Sequence, residues 1–216
     1  MGTFSTSDTA LVIIDPQNDF LSPDGATWGL VGNSVTENDT VAHLEQLFLA
    51  AKASGYKTYV SPHYYFPSDK DWEFGGTIEN IMHDINMFDR SGQRTMDGFE
   101  GSGADWVDPL GKYIDDGDTI VTSPHKVYGP ESNDLTLQLR KRGISKVVLA
   151  GMSANLCVEA HMRQLVEDGF ELHVVKDATA AAQHPELGDG YAAALINFAF
   201  IASGVVTTDE AVAALG

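Results

Sequence analysis

The sequence predicts an α/β fold, a parallel sheet with helices on both faces. Three observations carry that reading. The short runs TALVIID (9–15), KTYVS (57–61), DTIVTS (118–123), KVVLAG (146–151) and ELHVVK (171–176) are apolar almost throughout, as strands covered on both faces must be. Segments of helical spacing separate them, and β–α alternation specifies parallel strands joined by right-handed crossovers. Gly55, Gly143 and Gly169 each stand just past a helical pattern, where a left-handed residue caps the helix.

Taken in order, the first strand runs apolar into an acid, Asp15. A helix over 36–53 places Val41, Leu44, Leu47 and Phe48 on one face. The second strand ends at Ser61-Pro62-His63 and the third at Ser123 to Lys126. Helical patterns follow over 132–142, 157–168 and 187–203, and a short sixth strand, GVVTT (204–208), closes the series. The stretch 62–117 is too long for an ordinary connection and holds Tyr64, Tyr65, Phe66, Trp72, Phe74, Phe88, Phe99 and Trp106. Connections of that length inside a compact domain are lids or binding loops. No repeat, low-complexity tract or linker intervenes, so residues 1–216 are expected to form one domain with a lid or binding region at 62–117.

The chain has 216 residues, of which 43% are hydrophobic, enough to build a core. Its 13 basic and 31 acidic residues give a formal charge of −18. Phosphate backbones and anionic membranes are bound through clustered Lys and Arg, so the composition excludes both as partners. A single cysteine, Cys157, allows no intrachain disulfide, and the first residues have neither the basic start nor the apolar run of a secretory signal. The most membrane-like stretch, YAAALINFAFIASGVV, is broken by Asn197, Ser203 and Gly204 and reads as a buried or subunit-facing helix. A cytoplasmic setting and a homo-oligomer, dimer or tetramer, are the expectations.

Ligands of parallel sheets sit beyond the C-terminal ends of the strands. An acid (Asp15), a base (Lys126) and a thiol (Cys157) are all delivered to that rim. Cys157 follows a strand and opens a helix, where free amide N–H groups and the helix dipole favour a thiolate. Lys126 beside it would lower the thiol pKa further, and Asp15 could take or relay the proton. The backbone N–H groups of Ser153 and Cys157 are candidates for holding an oxyanion. Most lone cysteines are buried hydrophobes, and it is the joint placement of three groups that argues for chemistry.

Those three segments are also recognisable. LVIIDPQNDF resembles the opening of the isochorismatase-like cysteine hydrolases, whose first strand runs into Asp-x-Gln-x-x-Phe. SPHKVYGPESNDL is similar to their lysine segment, GMSANLCV to their nucleophile turn, and VVKDATAA also fits. The resemblance implies a three-layer α/β/α sandwich with a six-stranded, mainly parallel, Rossmann-like sheet. It implies a Cys-Lys-Asp triad in which Asp15 is the acid/base, Lys126 orients it and Cys157 attacks a carbonyl carbon. It implies a cis peptide at Met152–Ser153, and hydrolysis of a small amide through a thioester, without a cofactor.

Around the triad, Phe20 and Gln17 occupy motif positions and are candidate substrate contacts. His63, Tyr65 and Trp72 would build a pocket wall, and Tyr128 and Asn155 would meet polar groups of the substrate. His125, next to Lys126, should point to the opposite face and is ranked low as a base. Nicotinamidases of the resembled family hold a metal through Asp-x-His after the second strand and two more histidines. Here Ser61 stands in place of that Asp, with Asp69, Asp71 and His83 further on, so no metal is expected and His63 reads as a pocket residue. A nucleotide-binding reading fails because DPQNDF contains no glycine. The alternatives that remain are isochorismatase-type hydrolysis of another small substrate, and a thiol redox or binding protein on the same fold.

Overall fold

The computed structural model describes residues 4–71, 73–88 and 98–216. In chain order the elements are β1 (Thr9–Ile14), α1 (Asn18–Leu21), α2 (Trp28–Glu37), α3 (Thr40–Ala53), β2 (Lys57–Ser61), α4 (Thr77–Asp84), α5 (Gly111–Ile114) and β3 (Ile120–Val121). They continue with α6 (Leu135–Lys141), β4 (Lys146–Met152), α7 (Glu159–Glu167), β5 (Glu171–Ala180), β6 (Gln183–His184), β7 (Gly188–Asp189), α8 (Gly190–Ile201), β8 (Gly204–Val206) and α9 (Thr208–Leu215). Six strands form one sheet in the order β3-β2-β1-β4-β5-β8, every pair parallel. The small β6–β7 hairpin is antiparallel.

The apolar strands divide their side chains between two cores, as a period of two requires. Leu11 and Ile13 of β1, Val148 and Ala150 of β4 and Val175 of β5 pack with α2, α3 and α9 through Val31, Val35, Leu44, Leu47, Phe48, Ala211 and Leu215. Ala10, Val12, Ile14, Val147, Leu149, Leu172 and Val174 face the other way, onto α6, α7 and α8 through Leu139, Met162, Leu165 and Phe198. The result is three layers, with β1 and β4 buried at the centre. Each fully buried Leu, Ile or Phe contributes about 1.5–3 kcal/mol of hydrophobic stabilisation.

Local differences from the sequence reading have local causes. The single helix read over 36–53 is two, because Asp39 adopts a left-handed φ of 46° between α2 and α3. Helices α2 and α9 escape the pattern reading; α9 begins at a capping box, Thr207 to Glu210. The third strand is short, yet its direction persists through Thr122 N–H donating to Val60 O and a parallel bridge between His63 and His125.

The segment after β2 packs inward. Tyr65, Met82, Phe88, Phe99, Trp106 and Leu110 join the α3-side core, while Phe74 is exposed. Backbone bonds strap it to the end of β1: Asn18 N–H donates to Asp105 O, Asp19 N–H to Gly103 O and Val107 N–H to Pro16 O. It forms a fixed wall beside the strand tips.

Close approach of β4 to β1 depends on one glycine. Gly151 has φ 114°, and a Cβ there would drive into the Ile14 carbonyl oxygen and amide. The Gly151→Ala protein is therefore expected to lose about 3 kcal/mol or more of unfolding free energy in a urea titration. An unchanged midpoint and slope would contradict this account of the β1–β4 seam.

Candidate active site

The tips of β1, β2, β3 and β4 meet in a buried polar cluster. Chain direction turns at Asp15, whose φ of 47° is left-handed, a conformation that costs a non-glycine residue about 1 kcal/mol and concentrates at functional sites. Its N–H donates to Ser61 O, which fixes the turn, and its side chain is fully buried. His125 Nε2 lies 2.8 Å from Asp15 Oδ1, both side chains at 0% exposure. Asp15 Oδ2 has no hydrogen-bond partner among the described residues.

Cys157 sits in a π-turn, Ala154–Val158, that leads into α7. Val158 N–H closes that turn on Ser153 O. The Met152–Ser153 peptide is cis. A carboxylate oxygen of Asp15, Cys157 Sγ and one ring nitrogen each of His63 and His125 all lie within 4.8 Å of one another. The backbone N–H groups of Ser153 and Cys157 lie close enough to the sulfur to favour its charged form. Behind it, His161 Nδ1 donates to Cys157 O at 2.7 Å. The Ser61 hydroxyl then donates to His161 Nε2 at 2.9 Å, and Asn133 Nδ2 donates to Ser61 Oγ at 2.8 Å. This chain braces the first turn around the thiol.

Burial dominates the electrostatics. It pushes Asp15 up to about 7, opposed by His63 and His161 and by the Cys157 thiol as a hydrogen-bond donor. It pulls His63, His125 and His161 down to about 3, so all of them are neutral at neutral pH. It pushes the Cys157 thiol well above its usual value, and the Asp15 charge pushes in the same direction; the two amide N–H groups oppose both. Burial and the neighbouring carboxylate both favour the protonated form, so the sulfur rests as a thiol. Its nearest base is a carboxylate poised near neutrality, the range in which general acid/base catalysis is most effective.

The thiol opens onto a cavity of ≈ 60 Å³ lined by Phe20, Leu30, Val31, Ile78, Met82, Met87, Val127, Tyr128 and Leu156, together with His63, Ser153 and Cys157.

An isochorismatase domain model matches residues 9–210. The chain belongs to the isochorismatase family. It is 30% identical over 190 residues to a ureidoacrylate amidohydrolase of Rhizobium rhizogenes, covering 82% of this chain and 72% of the relative. Among solved structures it resembles a cysteine hydrolase from Pseudomonas syringae pv. phaseolicola, with TM-score 0.80 and 21% identity over 100% of this chain and 95% of that one. An N-carbamoylsarcosine amidase from Thermoplasma acidophilum superposes with TM-score 0.66 and 20% identity over 94% and 97% of the two chains. At these identities the two structures bear on the fold.

Within this isochorismatase fold the lysine stands elsewhere than the sequence reading put it. Lys126 Nζ pairs with Asp69 Oδ2 at 2.5 Å, donates to Tyr64 O at 3.3 Å and covers the Phe66 ring at 3.8 Å. His125 takes the place beside Asp15 that the resemblance had given to Lys126. The cause is strand parity: His125 bridges His63 across the β2–β3 tips and turns inward, so its neighbour turns outward.

The pocket candidates divide. Phe20, His63 and Tyr128 line the cavity, and so do Ser153 and Cys157. Gln17 does not, because its amide is consumed by backbone: Nε2 donates to His63 O and Ala104 O, and Oε1 accepts from His63 N–H. Tyr65 backs His63 edge-on at 4.8 Å, with its hydroxyl toward Met82 Sδ. Asn155 lies in a neighbouring groove with Glu159 and Arg163. Trp72 falls outside the described residues. His161 escaped the sequence reading, although its spacing of four from Cys157 places it one helical turn on.

The metal pattern of the nicotinamidases does not fit. Ser61 stands where its Asp would, with its hydroxyl tied to His161 and Asn133, and Asp69 is held by Lys126 and Phe66 N–H. Asp15, His63, His125 and Cys157 make a donor set that suits a soft divalent cation, but a cation there would consume the thiol and its base together.

The alkylation rate of Cys157 should therefore rise with pH through about 7, because Asp15 accepts the thiol proton only once ionised. The neutral imidazoles add no step, since they titrate near 3. In Asp15→Asn the step should vanish and the rate at neutral pH fall by about 10²-fold. Mass spectrometry of the singly alkylated chain measures this, and an unchanged profile in the variant would exclude Asp15 as the base.

Proposed function

We propose that the protein is a cysteine-dependent hydrolase of a small-molecule amide bond, working through a thioester. The observation that carries this is a buried carboxylate set against a thiol, beside two amide N–H groups, at the base of an apolar pocket. Relatives named as amidohydrolases and an amidase in the same family support the choice of a C–N bond. A peroxide-reacting thiol needs a resting thiolate, whereas burial here favours the protonated form.

In this reading Asp15 accepts the Cys157 proton as sulfur bonds to the carbonyl carbon. The carbonyl π pair moves onto oxygen, where the N–H groups of Ser153 and Cys157 receive it. The tetrahedral species collapses, the C–N bond breaks, and Asp15 returns its proton to the departing amine. Water then attacks the thioester and gives a proton to Asp15, the C–S bond breaks, and the acid leaves as the thiol is reprotonated. His125 is a positioning residue: neutral, it donates Nε2–H to Asp15 Oδ1 and so fixes the carboxylate beside the sulfur. Lys126 anchors the 62–88 segment through Asp69 and takes no part in proton transfer.

The protein also reads as a cytoplasmic homo-oligomer. The single thiol needs no oxidising compartment, and α8 leaves Ile196 and Phe200 at 60% and 85% exposure, an apolar face suited to a second copy. No helix among the described residues is long and apolar enough to cross a membrane.

Ammonia release from a panel of primary amides, ureas and lactams tests the chemistry. Cys157→Ala should abolish it, and His125→Ala should lower kcat by about 10–10²-fold with KM little changed. Lys126→Ala should keep kcat within about threefold. A folded Lys126→Ala protein as dead as Cys157→Ala would overturn the assignment of His125. In sedimentation at micromolar concentration a dimer or tetramer is expected, shifting toward monomer in Phe200→Asp. A wild-type monomer would refute the oligomer.

A further inference from the structure

We infer that the substrate is a neutral primary carboxamide or carbamoyl compound whose remaining part is apolar and uncharged. The inference rests on the hydrolase reading and narrows it to a chemical class.

The first argument is the pocket wall. Beyond the polar groups at the thiol end, the lining is mainly apolar, with Phe20, Leu30, Val31, Ile78, Met82 and Met87. Thr27, whose hydroxyl donates to Asp19 O, and Tyr128 are the uncharged exceptions, and there is no Lys or Arg among the described residues. Two cations near it among the described residues are already engaged. Lys126 is bound to Asp69, and Arg163, in the neighbouring groove, is bound to Glu159 at 2.8 Å. Asp15 lies behind the sulfur, and the charge of Glu79 is felt at Tyr128 on the wall and at Tyr65 behind it. A carboxylate on the substrate would give up its water for apolar walls and a field of its own sign, a cost of several kcal/mol.

The second argument concerns the end that reacts. His63 is 1% exposed, and its Nε2 lies 3.0 Å from Lys126 O, which only accepts, so Nε2 carries the hydrogen. Its Nδ1 is then a bare lone pair, buried and without a hydrogen-bond partner among the described residues. The His63 ring lines the same pocket as Cys157, with one of its nitrogens within 4.8 Å of the sulfur. A lone pair there is satisfied by an N–H on the group under attack, which an amide –NH₂ offers and an ester does not.

The single cysteine makes the test direct. Iodoacetamide and iodoacetate differ only in a neutral amide against a carboxylate, and each forms one S–C bond to Cys157 as iodide leaves. Relative to glutathione, the protein should favour iodoacetamide by a further factor of about ten or more. Leu30→Arg, at a half-exposed position on the pocket rim, should bring that preference back toward the glutathione value. In turnover, butyramide, valeramide and hexanamide should exceed succinamate, glutaramate and adipamate by a similar factor in kcat/KM. Equal alkylation by both reagents, or faster turnover of the half-amides, overturns the neutral-substrate inference and leaves the hydrolase standing. A raised alkylation preference with no ammonia from any amide overturns the hydrolase reading, and the substrate class falls with it.

Discussion

Everything at the strand tips follows from removing one carboxylate from water without giving it a cation. Asp15 is fully buried and its partner is an imidazole that burial itself keeps neutral. A buried carboxylate with a cationic partner stays ionised far below neutrality; one with only neutral donors is pushed up, here to about 7. That shift makes the group useful, because a carboxylate near neutrality can both take and return a proton. Burial and the Asp15 charge together keep the sulfur protonated at rest.

The fold supplies the rigidity that such an arrangement needs. Asp15 is held in a left-handed turn by its N–H bond to Ser61 O, and Ser61 in turn anchors His161 and Asn133. His161 reaches back to the carbonyl of the nucleophile. Thus the tip of β2, the start of α7 and the loop before α6 are tied together behind the thiol, while the hydrophobic layers on either side of β1 and β4 keep water out. The polar network persists because its brace is fully paired; Asp15 Oδ2, His63 Nδ1 and His125 Nδ1 are the buried atoms of the cluster left without partners. Unpaired atoms confined to one volume beside a nucleophile are what a reacting ligand would satisfy.

The stretch after β2 shows how one segment serves both stability and selectivity. Its aromatic side chains fill the α3-side core, and its backbone is bonded to the residues that follow Asp15. The residues it turns toward the thiol, Ile78, Met82 and Met87, are apolar. Lys126 holds this wall through Asp69, and its charge reaches the site only as a minor push on His63.

Sequence alone determined the sheet, the strand tips and two groups that meet there, Asp15 and Cys157. Burial on both faces forces near-continuous apolar runs, as in β1 and β4, and the motif around Asp15 and Cys157 is local in the chain. It did not determine which side chain sits beside Asp15. The choice between His125 and Lys126 is a matter of one residue of strand register, and β3 is only two residues long, so no hydrophobic alternation marks its facing. Pairing with His63 across the sheet decided it. The roles of Gln17 and His161 were equally out of reach, because they depend on partners 87 and 100 residues away in the chain. Tertiary structure also decided the charge state of the site: a pKa depends on what surrounds a group in space, and only the closed fold gathers three buried, neutral imidazoles around that acid and that thiol.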